Sequence, residues 1–209
     1  MYKLLGRATS GNVQKVLFLL QELNAEYRRE DYGRQFGNTA TPEYAALNPT
    51  RKVPTLLDGD VVIWESNTIL RYLASSFAPS SQSPATAASL KTLYPADPAM
   101  RSQIERWMDW LLASMNPVYL SGFRDAKKEP AERAADTRPK LIDELQILEE
   151  NLAGRDWMAG DEFTLADIAL GPIISRCVKF PFDLPPFPAL AAWIDRLQQR
   201  PAFRSATGG

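Results

Sequence analysis

Apolar residues recur at two different periods along the chain, and the change of period divides it. Over residues 1 to about 78, short apolar runs alternate with helical stripes; from about residue 98 onward only helical stripes remain. Between them, residues 79–89 are small, polar and proline-marked, the composition of a linker. The expected division is therefore 1–78, a linker over 79–97, and an all-helical block over 98–209, with no internal repeat.

In the first block, residues 2–5 predict a short strand. Gly11 and Asn12 break it. Val13, Val16, Leu17 and Leu20 follow at i, i+3, i+4 and i+7, one apolar face of a helix that stops near Asn24. Residues 27–31 predict a second strand, parallel to the first across a right-handed crossover. A polar stretch, 33–41, comes next. Residues 53–57 and 61–64 are apolar runs separated by Asp58-Gly59-Asp60, a hairpin signal. Ser66 precedes Ile69, Leu70 and Leu73 and reads as a helix N-cap. The order β-α-β, then β-β-α, is that of a thioredoxin-like domain.

In the second block, Asp97-Pro98 opens a helix carrying Ile104, Trp107, Met108, Leu111, Leu112 and Met115. Another runs from about 131 to 152, with Pro139 kinking or restarting it. Phe163-Thr164-Leu165-Ala166-Asp167-Ile168 has the spacing of a capping box with a hydrophobic staple. A last helix carries Leu190, Trp193, Ile194 and Leu197 and ends at Pro201. The fold class expected is α/β followed by all-α.

Composition narrows the chemistry. The 209 residues include no histidine, which removes Ser-His-Asp triads, Cys-His dyads and HExxH zinc helices. The single cysteine, Cys177, excludes an internal disulfide, a CxxC pair and a Cys-rich zinc site. With 24 basic against 25 acidic residues, there is no bulk charge for nucleic acid or anionic lipid. No stretch of 18 apolar residues and no signal-peptide h-region occur, so a cytoplasmic protein without metal or membrane span is expected.

Three strings then become specific in combination. Asn48-Pro49-Thr50-Arg51-Lys52-Val53-Pro54-Thr55-Leu56 is followed by Trp64-Glu65-Ser66-Asn67-Thr68-Ile69-Leu70-Arg71-Tyr72-Leu73, and the second block carries Phe163 to Ile168. In this order and spacing the chain resembles a cytosolic glutathione S-transferase along nearly its whole length, with Thr68 where the family has a small residue. Near Ser10 it is most similar to the bacterial, theta-like classes that use serine.

The resemblance implies a detoxifying transferase with glutathione as co-substrate, conjugating a small hydrophobic electrophile, and a homodimer joining the first block of one chain to the second block of the other. It implies that Ser10 stabilises the thiolate, with Thr9 and Asn12 as rival donors to sulfur. Ser10 also reads as a plain helix-start residue. The resemblance further implies a cis bond before Pro54, with Val53 presenting its backbone to the cysteinyl part of glutathione. Lys52 would meet the glycyl carboxylate, Ser66 the γ-glutamyl carboxylate and Glu65 its ammonium; Asn12 completes the set. The electrophile is expected beside Ala8, Thr9 and Ser10, with Trp107, Trp110, Leu111, Ser114, Met115, Tyr119 and Phe123 as candidate liners.

Cys177, in an apolar helix, reads as a small buried hydrophobe. No cysteine lies near Ser10, against the cysteine-using classes and the Ser-Ser-Cys run of maleylacetoacetate-type isomerases. Isomerase, dehalogenase and peroxidase activities stay open as alternatives, as does a non-catalytic binding protein of the same fold. Two departures stand out: a linker longer than usual for relatives with this Tyr94-Pro95-Ala96-Asp97-Pro98 landing, and the proline- and phenylalanine-rich segment 180–188.

Overall fold

The computed structural model describes residues 1–77 and 91–208, so most of the expected linker lies outside the described residues. The chain forms two compact units, one of residues 1–94 with 200–209, the other of residues 95–199.

The first unit is built on a four-stranded sheet of order β2-β1-β3-β4, with β1 Tyr2–Leu5, β2 Tyr27–Glu30, β3 Thr55–Asp58 and β4 Val61–Trp64. β1 and β2 are parallel, as the intervening helix α1 (Gly11–Glu22) requires. β3 runs antiparallel to β1, bringing Leu4 opposite Leu56, both fully buried. β3 and β4 form the expected hairpin, with Gly59 at φ 56, a left-handed conformation costly for other residues. On edge strand β4 only Ile63 turns inward; Val61, Val62 and Trp64 are exposed.

The polar stretch holds more structure than its composition suggests. Two single 3-10 turns lead into α2, Pro42–Leu47, capped by Thr41, whose hydroxyl accepts from the Tyr44 amide. Six residues with one buried side chain carry no periodicity to read. α3 spans Ser66–Phe77.

In the second unit, α4 (Pro98–Trp110) is capped by Asp97, which accepts from the Met100 amide at 2.8 Å. It continues through a π-helical turn, Leu111–Met115, into α5, Asn116–Asp125. Pro117 explains the wide turn: it has no amide for the Ala113 carbonyl, and its ring would crowd that carbonyl in a regular helix.

α6 begins at Thr137, later than the pattern suggests, and places Pro139 in its first turn, where a missing amide costs nothing. α7 is Leu165–Cys177 and α8 is Pro188–Gln199. Glu149 of α6 accepts from the Ala189 and Leu190 amides at 3.0 and 2.8 Å, satisfying orphan donors at the start of α8. Pro201 does not close the chain's last helix. It opens another, α9 (Pro201–Thr207), which packs on α1 in the first unit. Phe203 meets Phe18 edge-on at 5.2 Å, and Arg200 grips both oxygens of Glu22 at 2.8 and 2.6 Å.

Asp125 fastens α5 to α6. It accepts from Lys128 at 2.7 Å, the Thr137 hydroxyl at 2.6 Å and the Ala134 amide at 3.0 Å. Its Lys128 and Thr137 partners hold its pKa down, to about 2. A depressed carboxylate contributes stability above its unfolded pKa and loses it as pH falls through the folded one. Between pH of about 4 and 2 the wild type is therefore expected to lose stability along a slope that Asp125→Asn flattens, in thermal melts across that range.

Candidate active site

Ser10 occupies the turn from β1 into α1. It is the N-cap residue by backbone geometry (φ −82, ψ 124), and its carbonyl accepts the first helical amide, from Gln14 at 2.9 Å. Its side chain makes no capping bond, and it is buried while neighbouring Thr9 is exposed. The plain helix-start reading of Ser10 would have its hydroxyl occupied by the helix. Instead the hydroxyl sits at the positive end of α1 without that duty.

The Lys52-Val53-Pro54 segment is held from beneath by Tyr44 of α2 and by Asn48. The Tyr44 hydroxyl donates to the Lys52 carbonyl at 2.7 Å and lies 2.9 Å from the Thr55 hydroxyl. The Asn48 amide donates to the same two groups at 2.9 and 3.0 Å, while its oxygen accepts from the Thr50 amide and hydroxyl at 3.0 and 2.7 Å. Burial raises the Tyr44 pKa, so it stays a phenol. The Val53–Pro54 peptide bond is cis. Pro54 is buried, Val53 lies just before the β3 ladder, and the Lys52 side chain is exposed.

At the start of α3 the cap moves one residue from the sequence expectation. Glu65 accepts the first helical bond, from the Ile69 amide at 2.9 Å, and Ser66 is the first helical residue. Glu65 has φ 68, a left-handed backbone that costs a non-glycine residue about 1 kcal/mol or more. That geometry leaves Glu65 exposed and Ser66 buried. The Ser66 hydroxyl donates to Asn12 Oδ1 at 3.4 Å, which joins the starts of α1 and α3. Asn12 therefore turns its oxygen toward Ser66.

Residues 1–75 match the family model "Glutathione S-transferase, N-terminal domain", and residues 104–201 match "Glutathione S-transferase, C-terminal domain". The chain is 36% identical to glutathione S-transferase GstB of Escherichia coli K12 over 211 residues, covering 98% of this chain and 96% of the relative. It belongs to the glutathione S-transferase family.

Among solved structures it is similar to the theta class glutathione S-transferase of Xanthomonas axonopodis pv. citri, crystallised with glutathione bound. The TM-score is 0.87 at 35% identity, over 100% of this chain and 97% of that one. A maize relative, glutathione S-transferase 3, is 31% identical over 97% of this chain and 91% of its own.

For a glutathione S-transferase, two features of the first unit escape the sequence pattern. One is the Tyr44–Asn48 clamp. The other is Lys15 of α1, which is buried with its Nζ 3.5 Å from the Ser66 hydroxyl. Within the second unit, Trp107, Leu111, Met115 and Tyr119 are buried, and Tyr119 stacks on Phe180 at 6.1 Å. Cys177 is fully buried, and burial pushes its thiol pKa up, as a packing residue requires. The family's capping box closes: Asp167 accepts from the Thr164 amide at 2.9 Å.

Proposed function

We propose that this chain is a cytoplasmic glutathione transferase that binds glutathione on its first unit, stabilises the thiolate with Ser10, and directs it at a small hydrophobic electrophile. The observation that carries the reading is the Ser10 hydroxyl, buried at the α1 start and not used as a cap, two residues from the Asn12 that faces Ser66. On this reading glutathione is held by residues 1–78 of the first unit, while the helices between 98 and 199 shape the electrophile's surroundings.

The chemistry needs no histidine, because the enzyme favours an anion rather than shuttling a proton. A free thiol of pKa about 8.5 is only a few per cent ionised at neutral pH, and lowering it by roughly two units takes about 2.7 kcal/mol. A hydrogen bond to a charged acceptor supplies about 1.5–3 kcal/mol. A helix N-terminus adds about 0.3–1 kcal/mol. On this reading the Ser10 hydroxyl supplies the first and the start of α1 the second.

The remaining residues orient the tripeptide. The Val53 backbone pairs with its cysteinyl part, and Pro54 shapes that segment. Lys52, exposed on a braced loop, meets the glycyl carboxylate. The γ-glutamyl carboxylate docks on the Ser66 hydroxyl and the α3 amides, and Glu65 pairs with the neighbouring ammonium. Asn12 orients Ser66. Exposed Val61, Val62 and Trp64 on β4 favour a homodimer that covers part of that strand.

The protein is expected to be retained on immobilised glutathione and to conjugate a chloro-nitroarene. Calorimetry showing no glutathione binding at millimolar ligand would overturn the reading and leave a non-catalytic protein of the same fold.

A further inference from the structure

Lys15 is 1% exposed, on the face that α1 turns toward the start of α3. Burying an ammonium is costly unless a charge or strong acceptors receive it. Here its hydrogen-bond partner is a neutral hydroxyl, Ser66 Oγ at 3.5 Å, itself held at 3.4 Å by Asn12. The charge beside it at the α3 cap is Glu65, whose side chain is exposed. From α9 comes Arg200, occupied by Glu22 about two turns further along α1. On the sheet, Lys3 is paired with Glu30. The arrangement is a buried amine beneath the start of α3.

We infer that Lys15 is a positioning residue of the glutathione site, a buried amine under Ser66 whose ammonium becomes the counter-charge of the γ-glutamyl carboxylate docked at the start of α3. This rests on the glutathione reading given above. The step balances simply: the carboxylate arrives as an anion, and the Lys15 amine takes one proton from the buffer to become an ammonium.

Burial pushes the free protein's Lys15 down to about 7, against the upward pull of Glu65. A docked carboxylate raises it. Above a pH of about 7, binding therefore draws in a proton and weakens as pH rises; below it, the ammonium is already present and no proton moves.

The test is calorimetric titration of S-methylglutathione, which has the γ-glutamyl group but no ionisable thiol, in two buffers of different ionisation enthalpy. At a pH of about 8 the wild type is expected to take up most of one proton per ligand, and at about 6 close to none. Its affinity should fall towards tenfold per pH unit above about 7. Lys15→Met abolishes the uptake and weakens binding by about tenfold or more. It removes a buried charge, so its thermal midpoint should equal or exceed the wild type's. Lys15→Arg keeps its charge at every pH and flattens the profile.

Should either variant fail to fold, the wild-type proton count alone decides. Binding by the wild type without proton uptake at the higher pH overturns the inference and leaves the glutathione reading intact. So does a Lys15→Met variant that binds as tightly with the same uptake. No binding of S-methylglutathione by the wild type at millimolar concentration overturns the glutathione reading, and the inference with it.

Discussion

Ser10→Ala is expected to lower kcat/KM for chloro-nitroarene conjugation about 10- to 100-fold at neutral pH, the equivalent of one lost hydrogen bond to a charged sulfur. The ionisation of bound glutathione, followed by ultraviolet thiolate absorbance, should move up by roughly one to two pH units. The deficit therefore shrinks as pH rises, because above about 8.5 glutathione ionises unaided. Glutathione affinity should change little, since the holding contacts proposed above are those of Lys52, Glu65 and Ser66. Stability should change little too: a capping serine lost to alanine costs about 1 kcal/mol, but this side chain makes no capping bond. Normal binding with full turnover would show that another group, Thr9 or Asn12, serves the sulfur.

The second large effect concerns folding. Asp167 is fully buried and accepts from four donors: the Met158 amide at 2.9 Å, Trp193 Nε1 at 2.8 Å, and the Thr164 amide and hydroxyl at 2.9 and 3.1 Å. One carboxylate thus ties the start of α7 to the preceding loop and to α8. Asp167→Ala strands those donors in a dry interior. The cost expected is about 3–5 kcal/mol, or a thermal midpoint lower by about 10 °C. Asp167→Asn should fall between, because an amide offers one accepting oxygen and turns donors toward donors. Trp193 fluorescence reports the transition directly. A midpoint unchanged in the alanine variant would remove the structural role.

The elements that follow from periodicity alone are the ones the sequence shows plainly. The α1 stripe, the Asp58-Gly59-Asp60 hairpin and the Asp97-Pro98 helix start all stand where local pattern puts them. What is hidden depends on partners distant in sequence. Nothing in the local pattern around Lys15, between Gln14 and Val16, marks it as buried, yet in the fold it is 1% exposed and beside Ser66 at the start of α3. Glu65 reads as an acidic neighbour of a cap, but the turn from β4 into α3 forces it to φ 68 and makes it the cap itself. α2 is too short to show a period, although its Tyr44 braces the Lys52 loop. Pro201 was expected to stop a helix; a proline fits a first turn equally well, and here it starts one.

The return of α9 to the first unit sets an order on biosynthesis. Phe18 and Glu22 wait for Phe203 and Arg200, which leave the ribosome after all of the second unit. The first unit is thus begun first and closed last. A nascent chain carries α1 with one flank uncovered throughout synthesis of the helical half, the interval in which a chaperone has most to protect. Fragments ending near residue 94 would keep that flank open permanently, however complete their sheet.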